Sequence, residues 1–89
     1  LRVARVLIPA LLRSITGGLA EATVEGKSVR EVIGALELRF PGIGERLVQE
    51  NRLRPGLSVA VDGVVSHVGL REPVKPDSEV IFIAALSGG

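Results

Sequence analysis

The sequence predicts an α+β domain, and three observations predict it. Runs rich in β-branched residues occupy residues 3–8 and 79–85, near the two ends of the chain. Between them a single capped apolar stripe has helical spacing, and Asp62-Gly63, flanked by valines, marks a tight hairpin. Strand-like segments on either side of one helix give a sheet with that helix laid across one face.

Residues 3–8 suit a pleated, half-buried surface, and Pro9, which has no N–H for the ladder, stops the strand. Residues 10–18 form a loop closing on Thr16-Gly17-Gly18, where glycine accepts the positive φ that a turn back demands. Residues 19–24 give a weaker second strand with Ala20, Ala22 and Val24 on one face, ended by Glu25-Gly26. Ser28-Val29-Arg30-Glu31 has capping-box spacing: the serine oxygen accepts from the third helical amide, and the glutamate reaches back to the cap amide. A helix therefore starts at Ser28. Val29, Val32, Ile33, Leu36 and Phe40 form the stripe that covers a core, and Pro41-Gly42 ends it. A short helical turn is expected within residues 44–50, then a polar loop at residues 51–56 carrying Arg52 and Arg54. Residues 57–62 alternate, with Leu57, Val59 and Val61 on one side and Ser58, Ala60 and Asp62 on the other. Asp62-Gly63 then supplies the two positive φ values of a type I′ turn before Val64-Val65.

The 89 residues make one domain with no internal repeat. A domain of that size buries roughly 60 to 65% of the surface its unfolded chain exposes, enough for one modest core. Apolar residues at 46% and charged residues at 24% place the chain among ordinary globular proteins. Its net charge is +1 and Phe40 and Phe82 are its two aromatic residues. Single-strand nucleic-acid binders need a basic track and stacking rings, so that class is set aside. The absence of cysteine removes disulfides, thiolate metal sites, iron-sulfur ligation and a thiol nucleophile, and fits a cytoplasmic address. Arg2, Arg5 and Arg13 around an apolar stretch superficially suggest a targeting segment. That stretch is only about seven residues long, Pro9 interrupts it, and no run approaches the ~18 needed to cross a bilayer, so no membrane association is expected. The chain opens on leucine rather than methionine, which points to an unusual or a trimmed start.

The order β-β-α-β-β, with one helix too short to cover both sides of a sheet, is the β-grasp: a mixed sheet of four to five strands with the main helix on one face. The last strand would lie centrally, parallel to the first. Its apolar residues occur at both parities, so with Val80 and Phe82 turned toward the helix, Ile81 and Ile83 face the uncovered side. A contiguous exposed apolar patch there is the mark of a partner-docking face.

Several segments together resemble one known family: Ile8-Pro9 with Leu12-Arg13 and Thr16-Gly17-Gly18, the helix ending Phe40-Pro41-Gly42, the Asp62-Gly63 hairpin, and Gly88-Gly89 at the end. It is the ThiS/MoaD family of ubiquitin-like sulfur carriers. The early segment looks most like the members that supply sulfur for cysteine synthesis, the CysO type. The resemblance spans the chain, and only the diglycine is functionally specific, since a β-grasp topology hosts many functions. The stretch Ala85-Leu86-Ser87 differs from the Val-Ala or similar pair of many relatives, which leaves the partner preference open.

The resemblance implies a β-grasp body over residues 1–86 and a flexible tail over residues 87–89. In that reading Gly89 carries the acyl group, and Gly88 and Ser87 belong to a tail threaded into a partner. A free α-carboxylate is an anion at neutral pH, with a pKa of about 3.3 to 3.7, and a poor electrophile, so it must be activated. The resemblance supplies the means: a partner adenylyltransferase of the E1-like type (ThiF/MoeB-like) using ATP and Mg²⁺, then displacement of AMP by sulfur to leave a thiocarboxylate. A downstream synthase receives the sulfur for cysteine, molybdopterin, thiamin or a thiolated nucleoside. Glycine at both last positions admits the backbone to a narrow channel. Three extended residues reach about 10 Å, enough to enter a cleft while the sheet docks outside it. The protein is then a cosubstrate, not an enzyme, holds no cofactor or metal of its own, and is expected to be a monomer alone.

Other readings follow from the same residues. An activated Gly89 attacked by lysine would make a ubiquitin-like modifier, and an inert tail would leave a plain β-grasp interaction module. Gly17-Gly18 lacks the following Gly-Lys-Ser/Thr and helix start of a phosphate loop, so turn glycines explain it better. His67, with no second histidine and no cysteine, reads as a solvated strand-end residue rather than a ligand or base. Glu31, Glu37, Glu45 and Glu50 read as helix-surface charges and a cap rather than a catalytic carboxylate pair.

Overall fold

The computed structural model describes residues 3–84. Five strands form one mixed sheet: β1 (Val3–Leu7), β2 (Glu21–Glu25), β5 (Leu57–Val61), β6 (Val64–Val65) and β7 (Glu79–Ala84), in the order β2-β1-β7-β5-β6. As the sequence implies, β7 is central, parallel to β1 and antiparallel to β5. Helix α1 (Val29–Arg39) covers one face, and a short α2 (Ile43–Leu47) packs against it.

Alternation decides the layering. Ala4 and Val6 of β1, Ala22 and Val24 of β2, Val59 of β5 and Val80 and Phe82 of β7 meet Val29, Val32, Ile33 and Leu36 of α1 in one core. Ile43 and Leu47 of α2 complete it, both fully buried. Edge strand β2 turns Glu21, Thr23 and Glu25 to solvent and β6 is two residues long, so neither edge offers a long apolar template for another chain. Ala20, grouped with this strand's buried face from sequence, lies before the strand and is exposed.

The cap at Ser28 forms with one change. Its Oγ accepts from Glu31 N–H, but the Glu31 carboxylate takes the N–H of Lys27 rather than that of Ser28. Ser28 is engaged in an isolated bridge to Pro73, framed by Val29 N–H to Glu72 C=O and Val74 N–H to Lys27 C=O. The helix start is thereby tied to the segment leading into β7.

Residues 51–56 are not simply a polar loop. Val48–Gln49 (β3) and Arg52–Leu53 (β4) pair as a small antiparallel hairpin. Its turn residues Glu50 and Asn51 have φ of 52° and 63°. Glutamate gives no sign of that conformation, which is why the hairpin is hidden in the sequence. Asp62 and Gly63, at 51° and 84°, form the turn their identities announce.

Candidate functional site

The site is built on β7, because its parity serves two surfaces. Val80 and Phe82 are buried beneath α1, whereas Ile81 is half-buried and Ile83 is 41% exposed on the opposite face. The register shows what surrounds them. Leu7 of β1 sits opposite Ile81, Ile81 opposite Ala60 of β5, and Ala60 opposite Val65 of β6. Paired residues project to the same side of a sheet. Leu7, Ile81, Ala60 and Val65 therefore form one cross-strand apolar row on the face without a helix.

The exposures follow from position along this row. Ala60, the smallest member, is 5% exposed because Ile81 and Val65 flank it, while Val65 at the edge is 50% exposed. One step toward the start of β7 the surface becomes charged. Arg5 pairs with Glu79, its cross-strand partner, and reaches Glu21 at 3.9 Å. The uncovered face thus has an apolar centre bounded by an ion-paired border.

The start of β7 is clamped by backbone and side-chain bonds. Asp62 accepts from Glu79 N–H at 2.9 Å and from the Ser78 hydroxyl at 2.8 Å. Ser78, 2% exposed, in turn accepts from Lys75 N–H. These bonds hold the Asp62 carboxyl below its usual range, the Glu79 N–H first and the Ser78 hydroxyl second, with Lys75 adding a smaller share. The tight hairpin turn and the central strand are therefore fixed to each other. At the other end of the loop system Thr16, 4% exposed, donates to both Arg13 C=O and Leu19 C=O and closes the loop after β1.

Ile81 is brought together with Leu7, Ala60 and Val65, three residues the sequence reading did not single out, whereas Ile83 lies on the same face opposite Ser58. The alternation of residues 57–62 placed Ala60 on the correct side, but the partners across strands depend on register, which the sequence does not print. Ser87, Gly88 and Gly89 lie outside the described residues. His67 is exposed, and no cluster of three or more metal-ligating side chains occurs among the described residues. No helix among them is long and apolar enough to cross a membrane.

Compared with known proteins, residues 6–89 match the ThiS family. The chain belongs to the ThiS family. Sulfur carrier protein CysO of Mycobacterium tuberculosis is 30% identical to it, over 94% of this chain and 96% of that protein. Among solved structures, the chain resembles the Amycolatopsis orientalis BexX/CysO complex with a TM-score of 0.89 and 35% identity, covering 97% of this chain and 99% of that one. It also resembles Mycobacterium tuberculosis CysO with a TM-score of 0.86 and 27% identity, covering 93% and 99%. The β-grasp fold of this ThiS-family chain is thus shared along nearly its whole length. The likeness extends to the small archaeal modifier SAMP1 of Haloferax volcanii at 20% identity and a TM-score of 0.78, where it concerns the fold alone.

Proposed function

We propose that this ThiS-family protein is a sulfur carrier, a protein cosubstrate whose Gly89 carboxylate is adenylated by a partner and converted to a thiocarboxylate. The observation that carries the reading is the near full-length likeness to a protein named as a sulfur carrier, together with a ThiS family match that runs through Gly88-Gly89. The chemistry fits an end of this kind. A carboxylate oxygen of Gly89 attacks the α-phosphorus of Mg·ATP and pyrophosphate leaves, giving an acyl-adenylate. Hydrosulfide then adds to the acyl carbon, the C–O bond to phosphate breaks, and AMP departs with the electron pair. A persulfide donor gives an acyl disulfide instead, which a second thiol must reduce. Glycine at the last two positions leaves no Cβ on the leading end of the threaded chain.

The body contributes a handle. Ile81, in line with Leu7, Ala60 and Val65, and Ile83, two residues further along the same face opposite Ser58, offer a docking face beside the strand that leads to the tail. The adenylating partner, a sulfur-accepting synthase and a cytoplasmic setting belong to this proposal. Intact mass after incubation with a cell extract, ATP and sulfide tests it. Exchange of one oxygen for sulfur, localised to a C-terminal Gly89 by fragmentation and absent when Gly89 is deleted, is the expected result. Ladders of covalent conjugates would instead establish a modifier. Equal sulfur loading of the Gly89-deleted chain would overturn both.

A further inference from the structure

A second surface, away from the apolar row, collects positive charge. Arg30 of α1, Arg52 of β4, and His67 and Arg71 of the turn after β6 line a cleft of about 520 Å³ with Leu53 and Leu70 among its apolar walls. No carboxylate lines it, and the acids next to its lining residues in sequence, Glu31, Glu50 and Glu72, are not part of its wall. Among the described residues only Arg5 is ion-paired, so Arg30, Arg52 and Arg71 bring unneutralised guanidinium groups to one cleft. Arg30 is held in place by donating to Asn51 Oδ1 at 2.6 Å, across from α1 to the β3-β4 turn. In a chain of net charge +1 this is a local segregation, not a consequence of overall basicity.

A second hollow adjoins the cleft. This hollow, of about 390 Å³, shares Arg30 and Leu70 with the cleft and is further lined by Ile33, Gly34, Val48, Glu37 and Glu45. Gly34 lies in the middle of α1, where glycine is the poorest helix former except proline. A Cβ built on it meets nothing within 4 Å, so packing does not demand glycine there. Its effect is to keep the hollow open along one turn of the helix. Taken together the two hollows make a groove with a direction: Arg52 and Arg71 line only the first, Arg30 and Leu70 line both, and Glu37 and Glu45 line only the second.

We propose that this groove receives an extended segment of a protein partner, an apolar side chain over Gly34 followed by two or three carboxylates over Arg30, Arg52 and Arg71. Guanidinium forks match carboxylates in planar, paired hydrogen bonds, and an apolar anchor needs the floor that Ile33, Val48 and Leu70 provide. Glu37 and Glu45 disfavour the reverse orientation. The groove lies on the described body and works whether or not Gly89 carries sulfur.

The test is titration of the ¹⁵N-labelled full chain with the peptide acetyl-Ala-Leu-Glu-Asp-Glu-amide, following backbone amide shifts. Saturable shifts are expected at Arg30, Gly34, Arg52, Leu53, Leu70 and Arg71. Exposed ion pairs are individually weak and salt-screened, so affinity should fall about fivefold from low to high salt and at least about tenfold in an R52E/R71E variant. Gly34→Leu, which fills the hollow with a better helix former, should lose binding, while Gly34→Ala keeps most of it, and thermal melts check that both remain folded. The proposal is overturned if no saturable shift appears at millimolar peptide, or if the double variant binds unchanged. It is equally overturned if a lysine-substituted peptide binds as well, or if inorganic pyrophosphate occupies the cleft where the peptide does not.

Discussion

The two faces of the sheet are built by the same strands and differ in what covers them. Under α1, Val80, Phe82, Val6 and Val59 are at most 3% exposed and share one core with Leu36. On the other face Ile81, Leu7 and Val65 are just as apolar and remain only partly covered, with the Arg5 ion pairs beside them. For these apolar side chains the difference is not one of residue type. It lies in whether a helix is present, and it separates side chains that stabilise the fold from side chains free to meet another molecule.

The largest effect should come from opening the covered face. Leu36→Ala removes a side chain with no exposure in the layer between α1 and the sheet, and should cost about 2 to 5 kcal/mol in chemical denaturation. Ile83→Glu should change stability by less than about 1 kcal/mol, because the side chain is already in contact with water, while weakening partner capture at least about tenfold. If Ile83→Glu instead unfolds the protein as Leu36→Ala does, the contrast between the faces disappears and with it the docking role.

Much of this contrast was legible in the sequence, for a physical reason. Parity in a strand is strict, so the positions of Val80, Ile81, Phe82 and Ile83 already assign faces once a helix is known to cover one of them. The helix was equally plain from its stripe and from Ser28. Three features were hidden. The apolar row through Leu7, Ala60 and Val65 depends on which residues lie opposite each other in space. The β3-β4 hairpin turns on Glu50, a residue with no preference for the positive φ it adopts. The basic cleft gathers Arg30, Arg52 and Arg71 from three separate elements, and no spacing along the chain announces that they converge.

Smaller effects sharpen the picture of α1 as the element that makes the two faces unequal. Ser28→Ala deletes the acceptor for Glu31 N–H and should cost about 1 kcal/mol, within the usual 0.5 to 2 for a lost cap. Gly34→Ala should do the reverse. The added methyl meets nothing within 4 Å and glycine is a costly helical residue, so a gain of roughly 0.5 to 1 kcal/mol is expected in thermal or urea unfolding. A loss at Gly34→Ala would mean that the hollow beside the helix closes on a neighbour, and would remove the groove as well.

The smallest effect is the response to acid, and it separates the two ends of the helix-sheet layer. Glu37 accepts from Gly42 N–H at 3.0 Å and from Gly44 N–H at 2.8 Å, which holds α1 to the start of α2 and keeps its carboxyl below the ordinary value, Gly42 contributing most. Asp62 is lowered likewise by Glu79 N–H and Ser78 at the start of β7. A carboxyl lowered in the folded state binds its proton more readily when unfolded. The stabilisation is therefore complete above the unfolded-state value, near pH 4 or somewhat above it, and disappears as pH falls through the lowered folded value. Unfolding midpoints measured from neutral pH downward should hold steady until about pH 5 and then decline. Glu37→Gln and Asp62→Asn should each flatten that decline, the second without disturbing the turn because asparagine accepts the positive φ of position 62. A midpoint that falls equally steeply in both variants would place the acid sensitivity elsewhere and leave these two clamps as geometry without linkage.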